Sequence, residues 1–232
     1  MPSNQFLAAL HPEDAAKLTP LLRIVHLERD GQIAEEHSPL DRMVLPIDSI
    51  LSVITVMKDG RQVESRTIGC ESGYGLLHAL GSPISFERVI VQIGGEAYTA
   101  PLSSVSKIVR ESPTLVEAVA RYSQATLIQS AQSTACMALH TLEQRMCRWL
   151  LMTESRLGRD VLPLTQEHLS IMLGVQRTTI TATAGALQER GLIAYSRGKV
   201  RLLDHPGLER TACECHATID WAAKIMTLSQ GG

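Results

Sequence analysis

The sequence predicts an α+β protein in which an antiparallel β-roll is followed by a long helix and a winged helix-turn-helix domain. Short alternating apolar runs predict the β-roll, an uninterrupted helical pattern predicts the long helix, and two short helices before a basic hairpin predict the winged domain. The corresponding parts of the 232-residue chain are residues 1–111, 112–140 and 141–232.

The first part carries three consecutive strand-like runs between Leu40 and Ile68. Asp59-Gly60 separates the last two of them, and Asp-Gly between alternating runs is a strong hairpin signal. Further strands are expected over Phe86 to Ile93 and Glu96 to Ala100. The simplest closure for these pieces is an antiparallel β-roll or barrel. We expect short helices on either side of it, over residues 3–17 and 104–111.

The second part predicts one helix from Ser112 to about His140. Ser112 is a suitable N-cap residue and Pro113 suits the first helical position. Such a helix is about 40 Å long. Its apolar and small residues are Leu115, Ala118, Val119, Tyr122, Ala125, Ile128, Ala135 and Leu139. They are expected to pack against a second copy of the helix in a homodimer, the alternative being the chain's own β-roll.

Thr141 and Gln144 form a capping box within what otherwise looks like continuing helix. We interpret this position as a hinge. A new helix is expected from Leu142 to Leu157, ended by Gly158, with Trp149 in the core of the winged domain.

The third part contains the helix-turn-helix, over residues 165–190. Thr165 is expected to cap a two-turn helix that Gly174 ends, and a second helix is expected from Arg177 to Arg190. An apolar face shared by the two helices comprises Leu169, Leu173, Val175, Ile180, Ala184 and Leu187. The opposite face of the second helix carries small and hydrogen-bonding side chains, as entry into a DNA groove requires: Arg177, Thr178, Thr179, Thr181 and Ala182.

A basic hairpin, the wing, follows with its turn at Ser196-Arg197-Gly198. The hairpin is expected to place Arg197, Lys199 and Arg201 beside the phosphates of bound DNA. The segment therefore predicts a domain that binds duplex DNA. The alternative is a helical hairpin in an ordinary core, with merely solvated basic residues.

The charge distribution agrees with DNA binding at one end of the chain. The net charge is −2, but residues 1–114 hold 10 basic against 14 acidic side chains, while residues 161–203 hold 5 against 2. The winged segment is basic, whereas the amino-terminal part of the chain is mildly acidic. This distribution indicates that the winged segment alone contacts the phosphates of DNA.

Five cysteines without a framework spacing indicate reduced thiols. Because we find neither a signal peptide nor a membrane span, we expect a cytoplasmic protein without membrane association.

In its order of parts the chain resembles the CRP/FNR family of bacterial transcription regulators. The resemblance rests on the Asp59-Gly60 hairpin, the turns Ile68-Gly69-Cys70-Glu71 and Gly73-Tyr74-Gly75, and above all the segment 164–180. It implies a homodimer on a palindromic operator of double-stranded DNA, with RNA polymerase as a partner and a small-molecule effector as a further possibility.

In this family the recognition helix typically opens Ser-Arg-Glu-Thr-Val-x-Arg. By resemblance Arg177 reads a guanine edge and Thr179 holds a phosphate. Thr178 and Ala182 cannot make the family's charged base contacts, so the operator is expected to differ from the usual half-site. The DNA-binding residues are therefore expected to be Thr165, Gln176, Arg177, Thr178, Thr179, Thr181, Ala182, Arg197 and Lys199.

Cyclic-AMP-binding members carry a Gly-Glu-Leu-Gly turn and an Arg-Ser pair. The aligned residues here are Ser72-Gly73-Tyr74-Gly75 and Ser85-Phe86, with Arg88 as the only nearby cation. An effector other than cyclic AMP, or none, is therefore expected. Its pocket is expected to comprise Gly73, Tyr74, Gly75, Ser85, Arg88 and Tyr122. No cysteine precedes Cys70, which excludes the amino-terminal cysteine set of the iron-sulfur branch.

We expect no cofactor and no metal. His26, His37 and His78 have no metal-ligand spacing. Cys213-Glu214-Cys215-His216 lacks a fourth ligand, and a helix from Pro206 to Met226 places the two thiols on different sides. Cys70 is a thiol-switch candidate at the expected mouth of the effector pocket.

Two other classes of function remain as alternatives. One is a cyclic-nucleotide- or thiol/metal-responsive sensing module with weak DNA binding. The other is a cupin-like enzyme, which the absence of His-x-His followed by Glu argues against, as does the absence of phosphate-loop and nucleophile motifs.

Overall fold

The computed structural model describes the backbone of residues 4–227 and the side chains of residues 4–224. Strand β1 to strand β10 are Arg23–Leu27, Gln32–Ala34, Arg42–Pro46, Ile50–Val56, Gln62–Ile68, Arg88–Ile93, Gly95–Pro101, Val161–Leu162, Ile193–Ser196 and Lys199–Leu202. Helix α1 to helix α10 are Gln5–Ala8, Pro12–Leu18, Leu76–Leu80, Leu102–Glu111, Pro113–Leu139, Leu142–Leu157, Gln166–Leu173, Arg177–Glu189, His205–Thr211 and Cys215–Thr227.

Seven strands form the predicted antiparallel β-roll as two sheets, in the orders β1-β7-β3 and β2-β6-β4-β5. The β4–β5 hairpin turns at Asp59-Gly60, where Gly60 has the positive φ of 86° that such turns need. The core between the sheets is apolar, and its centre includes Met43, Leu45, Leu51 and Val91.

Several elements of the β-roll were not predicted. Strands β1 and β2 lie in a charged segment with little alternation, and helix α3 follows the Gly73-Tyr74-Gly75 turn. The helix expected over residues 3–17 is two helices, α1 and α2, because Pro12 starts a new one. Ser3, where that expectation began, lies outside the described residues.

Helix α5 begins and ends as predicted, with the Ser112 side chain accepting a hydrogen bond from the Leu115 amide at 3.3 Å. The expectation that its apolar stripe packs against a second copy is wrong for the amino-terminal part of the stripe, whereas Leu139 at the other end is 79% exposed. Leu115, Val119 and Tyr122 are buried in the core of the chain's own β-roll, together with Ala118 and Ala125. Helix α10 also packs along α5.

The capping box at Thr141 and Gln144 is present, and α6 ends at Gly158, whose φ is 63°. His140 between α5 and α6 has extended backbone angles, so the two helices are separate. Trp149 is buried in the winged-domain core, as predicted.

The wing is a three-stranded sheet in the order β8-β10-β9, in which the two-residue β8 was not predicted. The single helix expected from Pro206 to Met226 is wrong. It is broken between Thr211 and Cys215, where Ala212 has extended backbone angles, so α9 and α10 are separate. The side chain of Met226 lies outside the described residues. In the part of the chain that the structure describes, no helix is long and apolar enough to span a membrane.

Candidate nucleic-acid interface

The helix-turn-helix is held by the local interactions that the sequence predicts. The Thr165 hydroxyl accepts a hydrogen bond from the His168 amide at 3.2 Å and so caps α7. Gly174 has φ +64° and ends it. Ile180, Ala184 and Leu187 of α8 are fully buried against α6 and α7, which fixes the orientation of α8.

The outward face of α8 is open to solvent. Gln176, Arg177, Thr178, Thr179, Thr181 and Ala182 are all exposed, as predicted. The Arg177 Nε atom donates a hydrogen bond to the Gln166 Oε1 atom over 3.1 Å. This contact holds the guanidinium at the start of α8 while its terminal nitrogens can donate elsewhere.

The wing lies beside the start of α8. Arg197 and Gly198 both have positive φ, 47° and 72°, which is the backbone of a tight two-residue hairpin turn. Lys199 and Arg201 are exposed, whereas Val200 between them is buried, so β10 directs both cations outward.

A groove runs between α7, the start of α8 and the wing. The predicted residues Thr165, Arg177 and Arg197 lie along it. Gln166 and Tyr195 also line it but were not predicted, since neither is basic and only the fold brings them to Arg177. Glu167 contributes a carboxylate to the same groove, so its sides carry unlike charges.

Four of the residues expected to form an effector pocket are hydrogen-bonded in two pairs. The Tyr74 hydroxyl and Ser85 Oγ lie 2.6 Å apart, and the Tyr122 hydroxyl donates to the Gly73 carbonyl over 2.6 Å. Burial raises the pKa of both tyrosines, so both hydroxyls keep their protons at neutral pH. Gly75 has φ +99° at the start of α3.

The cations near this cluster are paired with carboxylates. Arg88 lies apart from the tyrosines and donates to Glu35 over 3.0 Å. Arg66, which the sequence did not single out, is buried and donates to Glu87 over 2.6 Å. An incoming anionic ligand would therefore have to replace a carboxylate at either arginine.

Polar contacts join the β-roll to the winged domain. The Trp149 indole donates to the half-buried Glu64 carboxylate over 3.1 Å, and Arg156 pairs with Glu71 at 2.8 Å. The His168 Nε2 atom lies 2.9 Å from the Asp30 carboxylate. Helix α7 is thus bound directly to the β1–β2 turn.

The predicted thiol-switch residue Cys70 lies against α6, with its thiol 3.4 Å from the Arg156 carbonyl. The cavity that Cys70 lines is formed with Glu71, Met152 and Arg156, and none of the residues expected in the effector pocket lines it. Burial raises the pKa of Cys70 to about 11, so little reactive thiolate is present near neutral pH.

The expectation that Cys213 and Cys215 lie on different sides of one helix is wrong, because the chain is not helical at Cys213. Both thiols are directed toward Cys136 and His140 at the end of α5, and the four potential ligand atoms lie within 4.8 Å of one another. His216, which sequence proximity suggested as a ligand, is not among them. Nor are His26, His37 and His78.

The winged segment matches a known family model. Residues 144–211 match the model described as a Crp-like helix-turn-helix domain. This range contains α7, α8 and the wing.

Comparisons over most of the chain give the same result. The transcriptional regulator SdrP of Thermus thermophilus is 31% identical over 181 residues, which is 75% of this chain and 85% of that protein. FixK2 from Bradyrhizobium japonicum shares the fold with a TM-score of 0.72 at 15% identity, over 83% of this chain and 98% of that one. A transcriptional regulator of the CRP/FNR family, also from Thermus thermophilus, has a TM-score of 0.65 at 21% identity, over 82% and 98%. The chain belongs to the CRP/FNR family of transcription regulators.

Proposed function

We propose that the protein binds a palindromic operator as a homodimer, with α8 in the major groove and the wing on the adjacent backbone. The observation that carries the proposal is the open face of α8, where Arg177 begins a row of exposed small residues directly beside Arg197 of the wing. Helix insertion needs such a narrow face, and the basic wing supplies phosphate contacts.

The base preference follows from the residues on that face. Arg177 is the residue of α8 best suited to a bidentate contact with guanine. The methyl groups of Thr178 and Ala182 suit contact with the thymine methyl group, and neither can donate a charged hydrogen bond. The half-site is therefore proposed to contain one guanine, read by Arg177, next to thymine-containing base pairs.

A substitution of Arg177 tests this assignment. Arg177→Ala is expected to weaken binding to the cognate operator by about 1–3 kcal/mol and to remove the preference for guanine at one position of each half-site. Fluorescence anisotropy on the operator and on each single-base variant measures both effects.

Arg190→Ala is the matched control, because Arg190 follows the other end of α8 and is occupied by Glu143 and Thr211. It is expected to leave base preference unchanged. Unaltered base preference in Arg177→Ala would refute the proposed orientation of α8.

The dimer is supported by a stripe on α5 that the chain itself leaves uncovered. These exposed residues recur every three or four positions, which is the spacing of a helix–helix seam. They are Val116, Ala120, Gln124, Leu127, Ala131, Thr134 and Ala138. Most are small and allow close approach of two helices, and Leu127, 70% exposed, is the largest apolar side chain among them.

A charge placed in this stripe tests the dimer. Leu127→Glu is expected to give a folded monomer, because two carboxylates would meet in an apolar seam. A monomer contacts only one half-site, so it is also expected to bind the operator more weakly than the dimer, which binds two half-sites at once. Sedimentation equilibrium measures the mass, and Met57→Glu, at an exposed apolar residue beside the β4–β5 turn, is the control. A Leu127→Glu protein that stays dimeric would show that another surface forms the dimer.

For regulation we propose an effector other than cyclic AMP, or none, with transcription by RNA polymerase as the controlled step. The support is that the hydroxyl groups of Tyr74, Ser85 and Tyr122 already form hydrogen bonds with one another or with the backbone. Arg66 and Arg88 already form ion pairs with carboxylates. Selection of bound genomic DNA fragments with and without cell metabolites tests effector dependence. A rise in the thermal unfolding temperature of the protein on addition of cyclic AMP would contradict the proposal.

A further inference from the structure

Four metal-ligating side chains from two distant segments meet where α5 ends. Cys136 lies in the last turn of α5, and His140 is the residue that follows the helix. Cys213 and Cys215 lie at the break between α9 and α10. The three thiols are fully buried and form a small cluster of their own, separate from the two large apolar cores.

The spacing of these groups is that of ligands around one tetrahedral ion. The Cys136 and Cys213 sulfur atoms lie 3.5 Å apart, and the Cys215 sulfur lies 3.4 Å from His140 Nδ1. Sulfur at about 2.3 Å and nitrogen at about 2.0 Å from a shared tetrahedral centre lie about 3.5–3.8 Å from one another. All four atoms fall within 4.8 Å of one another, so one ion can reach each of them with small adjustments.

The surrounding side chains orient the set. The His140 Nε2 atom lies 3.1 Å from the Glu214 carboxylate, which fixes the proton on Nε2 and leaves Nδ1 to face Cys215. A carboxylate behind a ligating histidine is a recurrent partner in zinc sites. The Gln132 side-chain amide donates to the Cys215 sulfur over 3.0 Å, the hydrogen bond that a metal-bound thiolate accepts.

We propose that Cys136, His140, Cys213 and Cys215 bind one zinc ion. Three thiolates and one imidazole are a common ligand set of structural zinc sites, and soft sulfur ligands disfavour magnesium or calcium. Because the protein supplies all four ligands, no coordination position is left for a substrate.

The position of the site gives the ion a structural role. It clamps the carboxyl end of α5 to the start of α10, one residue before the Thr141 cap of α6. Zinc thereby fixes the angle between the long helix and the winged domain. This inference goes beyond the proposed operator binding and does not depend on it, because metal binding is measured without DNA.

The zinc content of the full-length protein tests the proposal. Protein purified under reducing conditions from zinc-supplemented cells, without an affinity tag, is expected to carry about one zinc per chain by plasma mass spectrometry. Replacement by Co²⁺ is expected to produce the visible bands of tetrahedral cobalt and a thiolate charge-transfer band. The cobalt experiment uses the wild-type chain and so needs no variant to fold.

Matched variants locate the ligands. Cys136→Ser and Cys213→Ser are expected to lose most of the zinc, whereas Cys147→Ser, at a buried cysteine of the winged-domain core, is expected to keep it. His140→Ala is expected to weaken zinc binding at least tenfold in a chelator competition, and His216→Ala to leave it unchanged. The histidine pair distinguishes the proposed set from the run Cys213 to His216.

Three outcomes would overturn the proposal. One is wild-type protein that binds neither zinc nor cobalt after reduction and metal addition. Another is iron with acid-labile sulfide at these cysteines, which would indicate an iron-sulfur cluster. The third is a Cys136–Cys213 disulfide that mass spectrometry detects in protein purified without a reductant and that zinc does not prevent.

Discussion

Replacing Glu64 tests the contact between the β-roll and α6. Its half-buried carboxylate accepts hydrogen bonds from Ser52, Thr67, Gln92 and Trp149 at 2.5–3.1 Å. Burial raises the pKa of Glu64, against the opposing effect of these hydrogen bonds. The charged form is therefore less favourable in the folded protein than in the unfolded chain.

The sign of the pH dependence follows from the raised pKa. Stability contributed by protonated Glu64 is fully present below the pKa of the unfolded chain, about 4.3, and is lost as pH rises through the folded-state pKa. Between these two values the loss is at most about 1.4 kcal/mol per pH unit. The free energy of unfolding of the wild type, measured relative to Glu64→Gln, is expected to fall as pH rises from about 4.3 toward the folded-state pKa.

Glutamine can take the place of the carboxylic acid because the neighbouring Gln92 can adapt. The Gln92 Oε1 atom has no hydrogen-bond partner among the described residues, so rotation of its amide can present an acceptor to the new side chain. Alanine cannot. Glu64→Ala leaves the Trp149 indole and the Gln92 amide without an acceptor, at about 1–3 kcal/mol each.

Urea unfolding, followed by circular dichroism at several pH values, measures the free energy of unfolding of the wild type, Glu64→Gln and Glu64→Ala. Glu64→Ala is expected to be the least stable of them at every pH. Parallel pH curves for the wild type and Glu64→Gln would refute the reasoning, because they would show that Glu64 binds protons equally in the folded and unfolded states.

Two glycines and one cysteine give further predictions. Gly174→Ala is expected to destabilise the protein by about 1–2 kcal/mol, because φ is +64° and an added Cβ would lie 2.8 Å from Met137 Cε. Gly185→Ala, inside α8 with open space around its Cβ, is expected to stabilise it by about 1 kcal/mol, and thermal unfolding compares the two. Cys70 is expected to react with iodoacetamide at pH 8 about a hundredfold more slowly than glutathione, because its pKa is raised to about 11. Mass spectrometry of the labelled peptides measures this rate, and labelling as fast as glutathione would contradict the burial of its thiol.

The elements that were predicted correctly are those set by local chemistry. Thr165, Gly174 and the Thr141 capping box act within a few residues of their own positions, and each has the predicted geometry. The inward and outward faces of α8 follow from helical periodicity together with one fixed packing direction.

The errors have a common physical cause. Periodicity shows that Leu115, Val119 and Tyr122 share a face, but it does not show which surface covers that face. In the structure the β-roll covers it, and the uncovered stripe through Leu127 is less apolar and gives a weaker signal.

The cysteine cluster was missed for a related reason. Its side chains come from segments 75 and 77 residues apart. Helix propensity gave no indication of the break between Thr211 and Cys215. A tertiary arrangement of this kind depends on α10 folding back along α5, which local sequence does not encode.

The contacts between domains indicate how a change in the β-roll would reach the helix-turn-helix. Asp30 holds His168, and the other nitrogen of the His168 ring lies 3.0 Å from the Thr165 hydroxyl that caps α7. A shift of the β1–β2 turn would therefore act on the first turn of α7, which lines the same groove as Arg177. The contacts of Glu64 with Trp149 and of Glu71 with Arg156 hold α6 to the β-roll in the same way. Because α8 packs on both α6 and α7, its orientation depends on both sets of contacts with the β-roll.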